Sequence, residues 1–341
     1  MGICVGIASG CGVATRESVA PTPVAANEQA VTQAFEVPTP GEPLPRSSDY
    51  VVAAGLRWLV VLDIESLLER VSVIAPELLP QNNVQGFERS LGLELRTLHE
   101  VAIAGFDYST LYVVRGTADF DATRTRFSSR LAVDPLVTSI GRKQLYTGLF
   151  DNEVVHYATL DQTTASWSNG DPTPAKAALL LAQRQLRRSP SALDGASLQL
   201  LPESCKQGPA IAFVPGPIGS PPGTEPSASG VLDATLAVAI RATIEAKFLA
   251  LRLCWRGDWK EDGIRRTKAL LDTVLNSRFA TLLELTAEER AGTFTQHDEL
   301  VEVSYRWAAA KVLRRLQAVL SLDLGTLLAQ PEEELIAQRI Q

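Results

Sequence analysis

The order of patterns in the first half of this chain recurs in its second half, and that recurrence limits the possible folds more than any other feature. Trp58 to Ile64 is a continuous apolar run rich in β-branched residues, the mark of a buried central strand. Leu67, Leu68, Val71 and Ile74 follow at helical spacing and stop at Pro76. Val101-Ala102-Ile103 and Tyr112-Val113-Val114 bracket a turn at Phe106 to Thr110, which predicts a hairpin. Asp119 to Leu131 has helix spacing, Val154 to Thr159 reads as a strand, and a helix to Leu186 opens with Thr173 as N-cap and Pro174 at the first helical position. In the second half, Ala210 to Val214 is a short strand and Thr235 to Ile244 with Lys247 to Trp255 a long hairpin. Asp262 to Leu283 is a helix, and the strand Leu300 to Trp307 runs into a helix from Ala308 to Leu320.

Individual residues echo as well. Val101-Ala102-Ile103 matches Val238-Ala239-Ile240, Arg115-Gly116 matches Arg256-Gly257, and Asn152-Glu153-Val154-Val155 resembles Asp298-Glu299-Leu300-Val301. An internal duplication accounts for this; two hairpin-plus-helix units that converged on similar patterning is the alternative. Strand, helix, hairpin, helix, strand is the split βαβ order. The expected fold class is therefore α+β: two related ferredoxin-like domains with antiparallel sheets, 49–189 and 190–325, and a C-terminal helical tail at 326–341. One segment breaks the pattern, because Pro215 to Gly230 is proline-rich and reads as a loop where a helix is due.

Ahead of the folded body, residues 12–48 contain Pro21, Pro23, Pro38, Pro40, Pro43 and Pro45 with few large apolar side chains, so they are expected to form a disordered linker. A formal net charge of -7 over 341 residues argues against a nucleic-acid partner, which would call for clustered Lys and Arg. No apolar stretch approaches the roughly 20 residues that a membrane-spanning helix needs. The nearest, Val231 to Ile240, is interrupted by Asp233.

Catalytic signatures are missing where they can be tested. His99-Glu100 begins a zinc-protease motif, but position 103, where the second imidazole would face the metal, is Ile103. His99, His156 and His297 lie on separate predicted elements, and no nucleophile elbow, phosphate-binding glycine loop or paired CxxC occurs. Asp298, Glu299 and Glu302 fall on a half-buried strand where alternation turns Glu302 outward. Arg256-Gly257-Asp258 is an adhesion tripeptide in spelling, yet here it closes a hairpin. No catalytic residue, metal or cofactor is expected. Trp255, Arg256 and Trp259, next to Lys260, form a concentration of aromatic and basic residues that could stack on a protein or glycan partner, and they are the candidate binding residues.

Ala8-Ser9-Gly10-Cys11 follows the apolar run Ile3 to Ile7 and resembles the lipobox of bacterial envelope lipoproteins. A start upstream would supply the basic and full-length apolar regions of such a signal. The resemblance implies that residues 1–11 are signal and lipobox, that Cys11 carries the lipid, and that the protein faces the envelope space at the outer membrane or periplasmic side. Cys4 would leave with the signal, so Cys205 and Cys254 would remain in a compartment that permits a disulfide. The split βαβ order, with the first strand beside the third, brings these two together; two reduced thiols are the alternative. The functional expectation is a non-enzymatic, lipid-anchored binding or structural module. An envelope hydrolase with a site between the domains, or a cytosolic duplicated binding domain, is the alternative.

Overall fold

The two strands that open the halves pair with each other, and this single contact turns two expected sheets into one. A computed structural model describes residues 45–76, 93–150, 152–184, 190–218, 226–259, 262–276 and 278–320, all of them in the unit Pro45–Gln341. The first half contains β1 (Trp58–Asp63), helix α1 (Ile64–Ile74), β2 (Leu98–Gly105), β3 (Ser109–Gly116), α2 (Phe120–Ser129), β4 (Leu136–Ile140), β5 (Lys143–Phe150), β6 (Glu153–Thr159), β7 (Thr164–Gly170) and α3 (Thr173–Ala182). The second contains β8 (Ala210–Pro215), α4 (Pro226–Ala234), β9 (Thr235–Glu245), β10 (Phe248–Gly257), α5 (Gly263–Leu275), β11 (Thr293–His297), β12 (Leu300–Ala308) and α6 (Ala309–Leu320).

All twelve strands join one antiparallel sheet in the order β11-β12-β10-β9-β8-β1-β2-β3-β7-β6-β5-β4. Outward from the antiparallel β1–β8 pair, one series runs β1-β2-β3-β7 and the other β8-β9-β10-β12. The class is α+β with an antiparallel sheet, as expected, but the ferredoxin-like order is not observed. In that order β1 would lie beside β3; here it lies between β2 and β8. The physical reason is the connection. β2 follows α1 antiparallel and directly adjacent to β1, which leaves no gap between them for a third strand. Pairing β1 with β8 also removes the free edge that each half would otherwise expose, and buries Leu59 opposite Phe213.

Period-two alternation sorts the core. Leu59, Ala102, Leu111, Val113, Ile211, Phe213, Ala237 and Cys254 share one face, covered by α3 and by the short helices Ser47–Tyr50 and Ala196–Gln199. The opposite face packs α1 and α2 over Val101, Val114, Tyr157 and Trp167, and α4, α5 and α6 over Val238, Leu253, Trp255 and Val301. Asp63 and Asp119 start the two helices of the first half: Asp63 Oδ1 accepts from Ser66 N–H at 3.0 Å, and Asp119 Oδ1 from Ala122 N–H at 2.9 Å. No helix among the described residues is long and apolar enough to cross a membrane.

Several expected boundaries move. The folded body starts by Pro45 rather than at residue 49, since Ser47 and Ser48 are buried and Ser47 N–H donates to the Glu100 carboxylate. The region read as loop to Gly230 contains α4, which begins at Pro226, where a proline costs no helix hydrogen bond. The helix expected from Asp262 to Leu283 is two, α5 and Arg278–Leu282. Pro172, not Thr173, stands at the N-cap of α3, and Asp171 just ahead of it accepts at Oδ1 from Thr173 N–H at 2.8 Å and from Thr173 Oγ1 at 2.7 Å. The linker at 12–44 and the tail at 326–341 lie outside the described residues.

Candidate binding cleft

The residues singled out by chemistry do not assemble into one site. His99 sits at a β-bulge of β2 with Nδ1 3.4 Å from Glu65 Oε2. His156 is buried on β6, where Thr147 Oγ1 lies 2.9 Å from Nδ1 and the Gly170 carbonyl accepts from Nε2 at 3.0 Å. Burial holds its pKa below the ordinary imidazole value, and with both ring nitrogens engaged it has the setting of a structural group. His297 ends β11 at the sheet edge, six strands from β2 and nine from β6, or about 29 and 43 Å at ~4.8 Å per strand.

Trp255 and Trp259 are 5% and 1% exposed and meet edge to face with centroids 6.2 Å apart. Trp255 Nε1 donates to Thr235 Oγ1 at 2.9 Å, and Arg256 Nη2 to Glu299 Oε2 at 2.8 Å. The expected stacking platform is therefore core: alternation turns Trp255 under α4 and α5, and the turn at Gly257 folds Trp259 back onto it. Lys260, Cys4 and Cys11, with the whole Ala8–Cys11 motif, lie outside the described residues. Glu302 turns to the less buried side, as alternation implied, and is held by Arg252 Nη2 at 2.7 Å. Cys205 and Cys254 form a disulfide with Cα atoms 6.1 Å apart. The bond arises by a different route from the one expected, because β9 separates β8 from β10 and the short helix Glu203–Cys205 packs across both β9 and β10.

The seam itself provides the site that no motif marked. Beside the β1–β8 pair a cleft of about 640 Å³ opens, with Val61, Ile211 and Phe213 on its apolar side. Asp63, His99, Glu100, Arg115 and Lys206 line it as well. Its volume is that of a small-molecule pocket. The carboxylates are already engaged: Asp63 caps α1, Glu65 faces His99, and Glu100 accepts from Ser47 N–H. The wall formed by Ser47–Tyr50 is fixed by Tyr50 Oη, which donates to Asp161 Oδ2 at 2.5 Å; burial, and then Asp161, raise the phenol well above its usual pKa. The sequence signal lay in Arg115-Gly116, whose echo of Arg256-Gly257 was visible but whose place on the seam was not.

No protein-family model and no curated protein matches the chain. Among solved structures it is similar to the Treponema protein TP0453. Crystal form III gives a TM-score of 0.46 at 10% identity over 81% of this chain and 99% of that one. Crystal form I gives 0.44 at 9% identity over 82% and 99%, and crystal form IV 0.45 at 10% over 79% and 95%. Likeness at this level is too distant to show a shared fold.

Proposed function

We propose that this chain is a bacterial envelope protein, anchored through lipid on Cys11 at the outer membrane or periplasmic face, and that it acts as a binding module without catalysing a reaction. The observation that carries the binding role is the cleft at the β1–β8 seam, about 640 Å³ in volume, where several polar and charged groups converge beside Val61. The Cys205–Cys254 disulfide suits an oxidising compartment. The proline-rich stretch ahead of Pro45 suits a tether between anchor and body. The two outward strand series suit a duplicated ancestor whose copies meet where the cleft lies.

Address and binding are tested separately. Grown with labelled palmitate, cells should incorporate label into the protein, and Cys11→Ala should lose it; label retained by that variant removes the anchor. For binding, small-molecule fractions of the same envelope should shift the amide resonances of residues 206–208 at the cleft while leaving those of β11 at the far edge in place. If no fraction produces shifts confined to the cleft, the binding role fails.

A further inference from the structure

We propose that the seam cleft holds a small organic anion, its carboxylate against the Arg115 guanidinium; this rests on the binding role proposed above. The two halves contain equivalent arginines in unequal circumstances. Arg115 and Arg256 each precede the glycine that ends the third strand of a half, Gly116 in β3 and Gly257 in β10. Each glycine N–H donates to the carbonyl just ahead of the strand that follows in the sheet. Gly116 donates to Thr163 at 2.9 Å and Gly257 to Glu299 at 3.1 Å, which makes Thr163 the counterpart of Glu299. In both arginines Nε is buried and has no hydrogen-bond partner among the described residues.

The difference is the counter-ion. Glu299 supplies Arg256 with a carboxylate, whereas Thr163 supplies Arg115 with none, and its hydroxyl already donates to Asp161 Oδ1 at 3.0 Å. Glu100 stands directly across the β2–β3 ladder from Arg115, but its carboxylate accepts from Ser47 N–H and forms no ion pair with the guanidinium. Arg115 thus lines the cleft half-buried and without an ion-pair partner among the described residues. Lys206, which also lines the cleft, has no ion-pair partner among them either. A partly desolvated guanidinium is stabilised by an anion that can take a planar pair of hydrogen bonds, which a carboxylate provides.

The full chain would be titrated with octanoate, acetate and octylammonium, with binding read by calorimetry and by the amide shifts of residues 206–208. Octanoate and acetate should both bind at the cleft, and octylammonium should not. Arg115→Gln should weaken octanoate about tenfold or more. Thr163→Glu, at an exposed position, should do the same by supplying the missing carboxylate from within. Octanoate affinity unchanged in both variants overturns the proposal, and so does the absence of octanoate binding. Octylammonium bound at the cleft in place of octanoate overturns the anion while leaving the binding role intact. Cleft shifts from neither these probes nor the envelope fractions overturn both.

Discussion

Replacing Cys205 and Cys254 together by alanine should lower the unfolding free energy by about 4 kcal/mol, the largest loss expected from any pair of side chains in this fold. The two sulfurs close a loop between positions 49 residues apart, and chain entropy alone gives roughly 4 kcal/mol for a loop of that size. Both residues are 1% exposed, so alanine adds a small cavity term and leaves no buried hydroxyl. The bond also fixes the segment that leads into β8 against β10, across β9, and β8 is the strand on which the seam depends. Urea unfolding under oxidising conditions should show a lower midpoint for the variant and a steeper denaturant slope, because an uncrosslinked chain exposes more surface. Wild type measured with reductant should fall on the variant's curve. A loss under about 1 kcal/mol would mean that the unfolded chain is already compact around these residues.

Local patterns were legible from sequence because they follow from local physics. The run Trp58 to Ile64 placed β1 at the centre of the sheet, and the Val101/Val113 bracketing gave the β2–β3 hairpin. The Arg-Gly echo was legible because each glycine is forced. A Cβ on Gly116 would run into the Thr97 carbonyl, and one on Gly257 into the Trp259 ring. What stayed hidden depends on long-range placement. β7, Thr164 to Gly170, is small and polar apart from Trp167, so no apolar alternation marks it, yet it is the strand that continues the sheet beyond β3. Missing it misaligned the third echo. Sequence paired Glu153 with Glu299, whereas the equivalent backbone hydrogen bonds pair Thr163 with Glu299, and only the second alignment reveals that Arg115 has no ion-pair partner among the described residues at the place where Arg256 has one. Trp255 and Trp259 misled for a related reason: adjacent charge suggested a surface, but strand alternation and a tight turn put both indoles inside.

Glu289→Gln should cost on the order of 2–3 kcal/mol at neutral pH, the largest effect expected from a single charged side chain here. Glu289 closes a capping box with Thr286, whose N–H donates to Oε2 at 2.9 Å and whose Oγ1 accepts from Glu289 N–H at 3.2 Å. Its Oε1 accepts from Ala308 N–H at 2.9 Å where β12 ends, and Lys311 Nζ lies 2.5 Å from Oε2 in the first turn of α6. One carboxylate thus joins the helix Ala287–Arg290, the last strand of the sheet and the helix that follows it. Burial by itself would raise this pKa, but the Lys311, Ala308 and Thr286 donors outweigh it and hold the carboxyl down to about 2, against 4.5 for the unperturbed group. With the folded value depressed, the stabilisation is fully present above about pH 5 and is lost as pH falls from 4.5 towards 2. The side chain is only 13% exposed, so solvent screens the ion pair less than it would a surface pair. Unfolding free energies of wild type and variant should therefore differ at pH 7 and converge between pH 4 and pH 2.5. Amide exchange in α6 should accelerate in the variant at neutral pH, where the helix loses its tie to Ala287–Arg290. Parallel stability curves across that pH range would show that the carboxylate charge contributes nothing, and would leave hydrogen-bond shape as the sole basis of the joint.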